Sequence, residues 1–361
     1  MFPSAMVQRR NQIKPEAFKE VFSCFTKQIP IRNKFHGYQL VACDGSRINL
    51  PYNPSDPDTF IQCIEGRKGI NQVHLNALYD PLNDLFLDAI LQGIHEMDEK
   101  GALVSLLNRH ANAEHKRIYI CDRGYASYNI FANAIHNHQL FLIRVPESFA
   151  KNLCPSSEHW MNGSSADEQI SINIGRRNTK KLHELENYHY LSKSRHYYYL
   201  AAGSDDTDCL QIRVLKFKIS ENSYEYIVTN LPKCAFPLPC IKELYAIRWS
   251  QETAFRHLKY AGNMVHIHSL KKEFLIQEIY GKLTLYNFSA WLSSAVCVRE
   301  KIVKHEYVVN HTLMQKICIR FLRGVVRDVK ALISRYLVPV RPGRKFERCL
   351  RRQSADTLAY R

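Results

Sequence analysis

Two short apolar runs in this chain end in the same way. Tyr38-Gln-Leu-Val-Ala-Cys43 leads into Asp44-Gly45-Ser46, and Arg117-Ile-Tyr-Ile-Cys121 leads into Asp122-Arg123-Gly124-Tyr125. Each run has the length and apolar density of a buried strand, is closed by an aspartate, and meets a glycine within two residues. Such strands belong to an α/β sheet, where ligands collect outside the carboxyl ends of neighbouring strands. An aspartate at a strand end is more often a turn residue or helix cap than a ligand. The pair therefore acquires meaning only with a third acid to meet it.

The surrounding pattern supplies the frame. Pro15 with Ala17, Phe18, Val21, Phe22 and Phe25 predicts a helix within residues 1–37. Asp44-Gly45-Ser46 reads as the turn of a hairpin whose second strand is Arg47–Leu50, with loop over 52–69 and a further strand at 70–79. Leu85, Leu87, Ile90, Leu91, Ile94, Leu103, Leu106 and Leu107 predict helix over 84–107. A helix at 127–137 and a strand at 138–145 complete a first core segment, 38–146. Residues 147–223 are polar, with alternating runs at 170–174, 197–200 and 211–218, and read as a β-rich insertion. A second core segment, 224–300, holds a strand at 224–230 and helices at 238–260 and 272–299. Residues 301–361 form a helical segment and a basic, Pro/Gly-broken tail from Arg341 onward.

Charge narrows the partner. Lys and Arg number 50 against 34 Asp and Glu, a net +16, and a globular chain this basic usually meets a polyanion, nucleic acid before an anionic membrane. No run of about 18 apolar residues is present, so no membrane span is expected, and the N-terminus lacks the apolar core of a secretory signal. Nor does any amphipathic helix show a clean basic face. Eleven scattered cysteines without a C-x-x-C pair fit neither a disulfide framework nor a zinc site. They read as reduced, mostly buried thiols of a cytosolic protein.

The third acid lies in Tyr245-x2-Arg248-x3-Glu252-x6-Lys259. On one continuous helix these four side chains fall within about a 60° arc, beside a core face of Leu244, Ile247, Ala254, Phe255 and Leu258. An ordinary ladder of i,i+4 charges explains Arg248 with Glu252, but not the tyrosine and lysine in line with them. Asp44, Asp122 and Glu252 would make a set of hard oxygen ligands suited to Mg²⁺ or Mn²⁺.

Taken in order, these motifs resemble DDE transposases of the insertion sequence four family, whose catalytic core is ribonuclease H-like. The resemblance covers roughly residues 35–290 and rests on Asp44-Gly45-Ser46 with Leu50-Pro51, Cys121-Asp122-Arg123-Gly124-Tyr125, Thr229-Asn230-Leu231 and Tyr245/Arg248/Glu252/Lys259. His266-Ile-His-Ser-Leu-Lys-Lys272 and Gln277-Glu-Ile-Tyr280 add to it. It implies a mixed sheet flanked by helices and interrupted by a β-rich insertion between the second Asp and the Glu.

The implied activity is metal-dependent phosphodiester hydrolysis and strand transfer at transposon ends, with two ions about 3.5–4 Å apart. Asp44 would bridge them, with Asp122 and Glu252 on either side. Tyr245, Arg248 and Lys259 would grip phosphates, and Arg123 would touch DNA or pair with a carboxylate. Trp249 and the tyrosine-rich stretch 188–199 are candidates to stack on an extruded base. The implied partners are double-stranded DNA with terminal inverted repeats and target DNA, bound by a dimer, in the cytoplasm of a bacterial cell at the nucleoid.

The chain departs from the family at its start. Only 43 residues precede Asp44, which suggests a shortened DNA-binding region and keeps two alternatives open: a non-catalytic DNA-binding protein that inhibits the full transposase, and a nuclease without strand transfer. Gln251 also stands where many relatives carry an apolar residue.

Overall fold

The computed structural model describes residues 8–63, 68–154, 165–220, 223–295 and 307–339. Its centre is a ten-stranded mixed sheet. The first core segment contributes β1 (Gln39–Leu50), β2 (Phe60–Ile61), β3 (Ile70–Asp80), β4 (Leu85–Gly93), β5 (Arg117–Cys121) and β6 (Leu140–Arg144). β4, β3 and β1 form an antiparallel meander, and β5 and β6 continue it parallel to β1. In the order β4-β3-β1-β5-β6 an antiparallel meander thus adjoins a parallel set. The fold is mixed α/β, with helices on both faces.

Beyond β6 the sheet does not stop. β10 (Ser223–Thr229) pairs with β6, then come β9 (Thr207–Ser220), β7 (Ala166–Gly175) and β8 (Tyr188–Tyr190). The alternating runs at 170–174 and 211–218 thus extend the core sheet edge-on. The run at 197–200 forms no strand. Tyr197 is instead buried with its hydroxyl on Asp208, and Tyr199 stacks on His136, so these rings serve packing.

Alternation along the strands sorts the core. Val41, Cys43, Tyr119 and Cys121 face α2 (Glu99–Arg109) and α3 (Tyr128–His136). Leu40, Ile118, Ile120 and Leu142 point the other way, against α6 (Leu238–Ile247). The meander's outer part packs on α7 (Trp249–Tyr260), α8 (Lys272–Ser294) and α1 (Pro15–Gln28). Asn287 of α8 ties that layer to the sheet: its amide accepts from Phe86 N–H and donates to Phe86 O and to Thr26 of α1. After α8, a small β11–β12 hairpin (Tyr307–Val309 with Leu337–Pro339) encloses α9 (His311–Leu322) and α10 (Val329–Arg335). Two further short helices are α4 (Glu147–Leu153) and α5 (Lys180–His183).

Several sequence expectations change. The hairpin at Asp44-Gly45-Ser46 does not exist, because β1 runs straight through it, paired along its length with β3. Its glycine answers a steric need: a Cβ on Gly45 would lie 2.2 Å from His74 Nε2. Residues 85–93 are strand, since pairing with β3 captures an apolar run that also fits a helical period. The helix expected over 238–260 is two helices, broken at Arg248, where Arg248 N–H reaches back three residues to Tyr245 O. The nine described cysteines are all free thiols, but only four are buried. The basic tail from Arg341 lies outside the described residues.

Candidate active site

The parallel pairing of β1 with β5 ends at Cys43 opposite Cys121. Asp44 and Asp122 are the next residue on each strand, so the two aspartates leave neighbouring strands at one level. By alternation both belong to the face that carries Leu40, Ala42, Ile118 and Ile120, which is the face covered by α6 and its continuation into α7.

Burial raises the Asp44 carboxyl to about 6, and nearby Asp122 and Glu252 push in the same direction. The Gly45 N–H, which donates to Asp44 Oδ1 at 2.8 Å, and the Arg248 guanidinium oppose that shift. The three acids named from the sequence thus share one electrostatic neighbourhood, although 208 residues separate the first from the last.

Tyr245 and Arg248 belong to the same neighbourhood. Tyr245 is buried and its hydroxyl donates to Asp122 Oδ1 at 3.4 Å. Arg248 is 2 % exposed. Its Nη2 lies 3.6 Å from Glu252 Oε1, and the guanidinium sits over the Trp249 ring at 4.7 Å. Its Nε has no hydrogen-bond partner among the described residues. Burial works against the Arg248 charge, but Tyr245, Asp122 and Asp44 overcome it and raise its pKa. Arg248, at the junction of α6 and α7, thus stands as a buried cation among acids that would otherwise only repel one another.

Lys259 and Arg123 stand apart from that cluster. Lys259 is half-buried, burial alone lowers its pKa, and among the described residues no ion pair joins it to the acids. Arg123 is exposed; it is its backbone N–H, not its guanidinium, that donates to Asp122 Oδ1, at 2.6 Å. Trp249 is 52 % exposed.

Three residues that no sequence signal singles out border the site. Glu99, at the first turn of α2, approaches from the opposite face. Its Oε1 would lie 3.0 Å from a Cβ on Gly45, and its Oε2 3.8 Å from one on Gly124. Its partner is the buried ring of His74, 3.1 Å away, which holds the Glu99 carboxyl below its ordinary range. Glu225 on β10 lies 3.7 Å from Arg144; burial raises its carboxyl, and Asp122 adds to the rise. Only the topology of the sheet brings these side chains alongside, and no local motif marks them.

The donor chemistry of Asp44, Asp122 and Glu252 fits a hard divalent cation, for which a raised, like-charged carboxylate is the natural host. Among the described residues, no three His, Cys, Asp or Glu side chains are gathered tightly enough to hold a metal ion as they stand. Glu252, at the first turn of α7 and 46 % exposed, has room to change rotamer.

Comparison with known proteins places the chain in a family. No curated protein matches it. Among solved structures it is similar to a piggyBac transposase, determined by cryo-EM as a synaptic complex with hairpin DNA, at 10% sequence identity and a TM-score of 0.44. That match covers 85% of this chain and 59% of the other, so the present chain spans about three fifths of that protein's length. Residues 35–288 match the model of the transposase DDE domain. That stretch is well over half of the sequence and contains Asp44, Asp122 and Glu252, and the chain belongs to the transposase DDE domain family.

Proposed function

We propose that this protein is a DNA transposase that hydrolyses phosphodiester bonds at transposon ends and transfers the freed strand, with Asp44, Asp122 and Glu252 as ligands of Mg²⁺ or Mn²⁺. The observation that carries the reading is the common level of the β1 and β5 ends, which sets Asp44 beside Asp122, together with the influence of Glu252 on the same carboxyl.

Divalent cations bound there would supply an activated water or 3′-hydroxyl and a stabilised leaving oxygen. The protein's own groups do the rest. Tyr245 holds Asp122 through its hydroxyl. Arg248, braced between the Tyr245 and Trp249 rings, offers a fixed, charged donor to a phosphate oxygen. Lys259 and Arg123 add positive charge along the path of the strand. Duplex DNA with terminal inverted repeats and target DNA are the substrates, two copies of the chain meet when two ends are paired, and the setting is the cytoplasm and nucleoid of a bacterial cell. Among the described residues no helix is long and apolar enough to cross a membrane.

The test is incubation of the full chain with plasmid carrying its own flanking repeats, in Mg²⁺, Mn²⁺ or EDTA. The reading expects nicked and joined products with either metal and none in EDTA. Nicking without joining would point to a nuclease, and binding without nicking to a DNA-binding inhibitor; either outcome contradicts the proposal.

A further inference from the structure

The net charge of this chain is concentrated at one end. Residues 307–361 hold 13 Lys and Arg against three Asp and Glu, ten of the sixteen net positive charges. Six of these cations lie in the described part: Lys316, Arg320, Arg323, Arg327, Lys330 and Arg335. All six are exposed, and among the described residues none of them enters an ion pair or a side-chain hydrogen bond. Asp328, the acid that accompanies them, is engaged as the cap of α10, accepting from Ala331 N–H.

Their arrangement is helical and one-sided, a basic face not expected from the sequence on any amphipathic helix. Met314, Ile317 and Cys318 of α9 are buried with Val329 and Ile333 of α10, against Leu285, Phe288 and Leu292 of α8. Lys316 and Arg320, with Arg323 at the C-cap, follow at i, i+4 and i+7, on the side of α9 turned away from that packing. Ring stacking of Phe321 on Phe288 adds to the seam with α8. The cations are therefore presented from a docked, structured element and not only from the tail beyond it. Leu322, Val325 and Tyr336, each at least half exposed, interleave with them. A surface of unpaired cations with apolar side chains between them fits a phosphodiester backbone and its sugars.

We propose that the α9–turn–α10 unit is a second DNA-binding surface, separate from the carboxylate site, which grips duplex phosphates without reading sequence. The choice of DNA as the polyanion rests on the transposase reading. The unit touches the helix that carries Glu252 directly, with the His311 ring of α9 stacked on His257 of α7 at 4.2 Å, and both helices also pack on α8.

The experiment uses the full chain in EDTA and a fluorescently labelled duplex of about 30 base pairs of arbitrary sequence, with anisotropy read across a salt series. Lys316→Gln/Arg320→Gln/Arg323→Gln should weaken binding by about tenfold or more near 0.15 M salt. It should also reduce the salt slope by roughly 0.9 for each phosphate that is no longer neutralised. Lys116→Gln/Lys180→Gln/Lys181→Gln removes the same charge from exposed positions elsewhere and should cost much less. Unchanged affinity and slope in the first variant would overturn the proposal, as would an equal loss in the control. Loss of binding to phosphatidylserine vesicles with DNA binding intact would overturn it as well. Failure of the parent chain to bind any duplex would instead strike at the transposase reading itself.

Discussion

Gln251 donates its side-chain amide to the main-chain oxygen of Ala77 at 3.1 Å, and Ala77 is the residue paired with Asp44 across β1 and β3. Gln251 is fully buried, and it immediately precedes Glu252. A single hydrogen bond therefore ties the helix carrying the third acid to the strand position opposite the first. This gives the glutamine a physical reason to stand at an otherwise apolar site. Gln251→Leu should cost about 1–3 kcal/mol in stability. It should slow cleavage by roughly tenfold through misplacement of Glu252 while leaving duplex affinity unchanged. Denaturant melts and single-turnover cleavage measure the two effects separately.

Gly45 has the opposite character, since what matters there is what it lacks. Gly45→Ala would set a Cβ 2.2 Å from His74 Nε2 and 3.0 Å from Glu99 Oε1. The His74 ring is held in place by burial and by Glu99. Overpacking of this kind costs about 1–3 kcal/mol. Removing the ring in Gly45→Ala/His74→Ala should recover part of that loss, which a double-mutant cycle on thermal melting would show as a favourable coupling.

The far end of the sheet depends on a different pair. Arg213, 1 % exposed, donates Nε and Nη2 to the two oxygens of Asp167 at 2.7 and 2.8 Å, and Nη1 to Phe236 O at 2.8 Å. Burial alone would raise the Asp167 carboxyl, but the guanidinium outweighs it and holds the pKa below its ordinary value. A carboxyl depressed by folding contributes stability above its unfolded pKa and loses it as pH falls through the folded one. The pair should therefore stabilise the protein fully near neutrality and progressively less below about pH 4. Asp167→Ala should destabilise by about 3–5 kcal/mol at pH 7, because it strands a buried cation, and should flatten the acid limb of a melting-temperature profile.

Much of the core is legible in the sequence because local signals and tertiary demands agree. Ile118-Tyr-Ile-Cys121 is apolar, β-rich and closed by a turn, and β5 ends where that pattern ends. Asp44, Asp122, Glu252, Tyr245 and Arg248 stand out as residue types in sequence order; the sheet brings the two aspartates together, and the helices packed over it bring the other three. What escapes the sequence are features set by long-range pairing. Leu85–Gly93 carries apolar residues at spacings that suit helix or strand, and only β3 decides between them. Gly45 reads as a turn because the residue it must clear, His74, lies on another strand. The break at Arg248 makes the helical wheel of one continuous helix too simple, and Lys259, at the far end of α7, is not drawn into the acid cluster. Glu99 and Glu225 belong to elements whose arrival at the site no nearby motif announces.

The proposed function stands on Asp44, Asp122 and Glu252 serving a single chemistry. The most direct measurement is side-by-side cleavage of a labelled transposon-end duplex in saturating Mn²⁺ by the parent chain and by Asp44→Asn, Asp122→Asn and Glu252→Gln. Folding and duplex affinity would be measured in parallel. Each variant should bind like the parent and cleave slower by roughly a thousandfold or more, since groups that act as one unit fail alike when any member is removed. Parent-like cleavage by any of the three would contradict the proposed function.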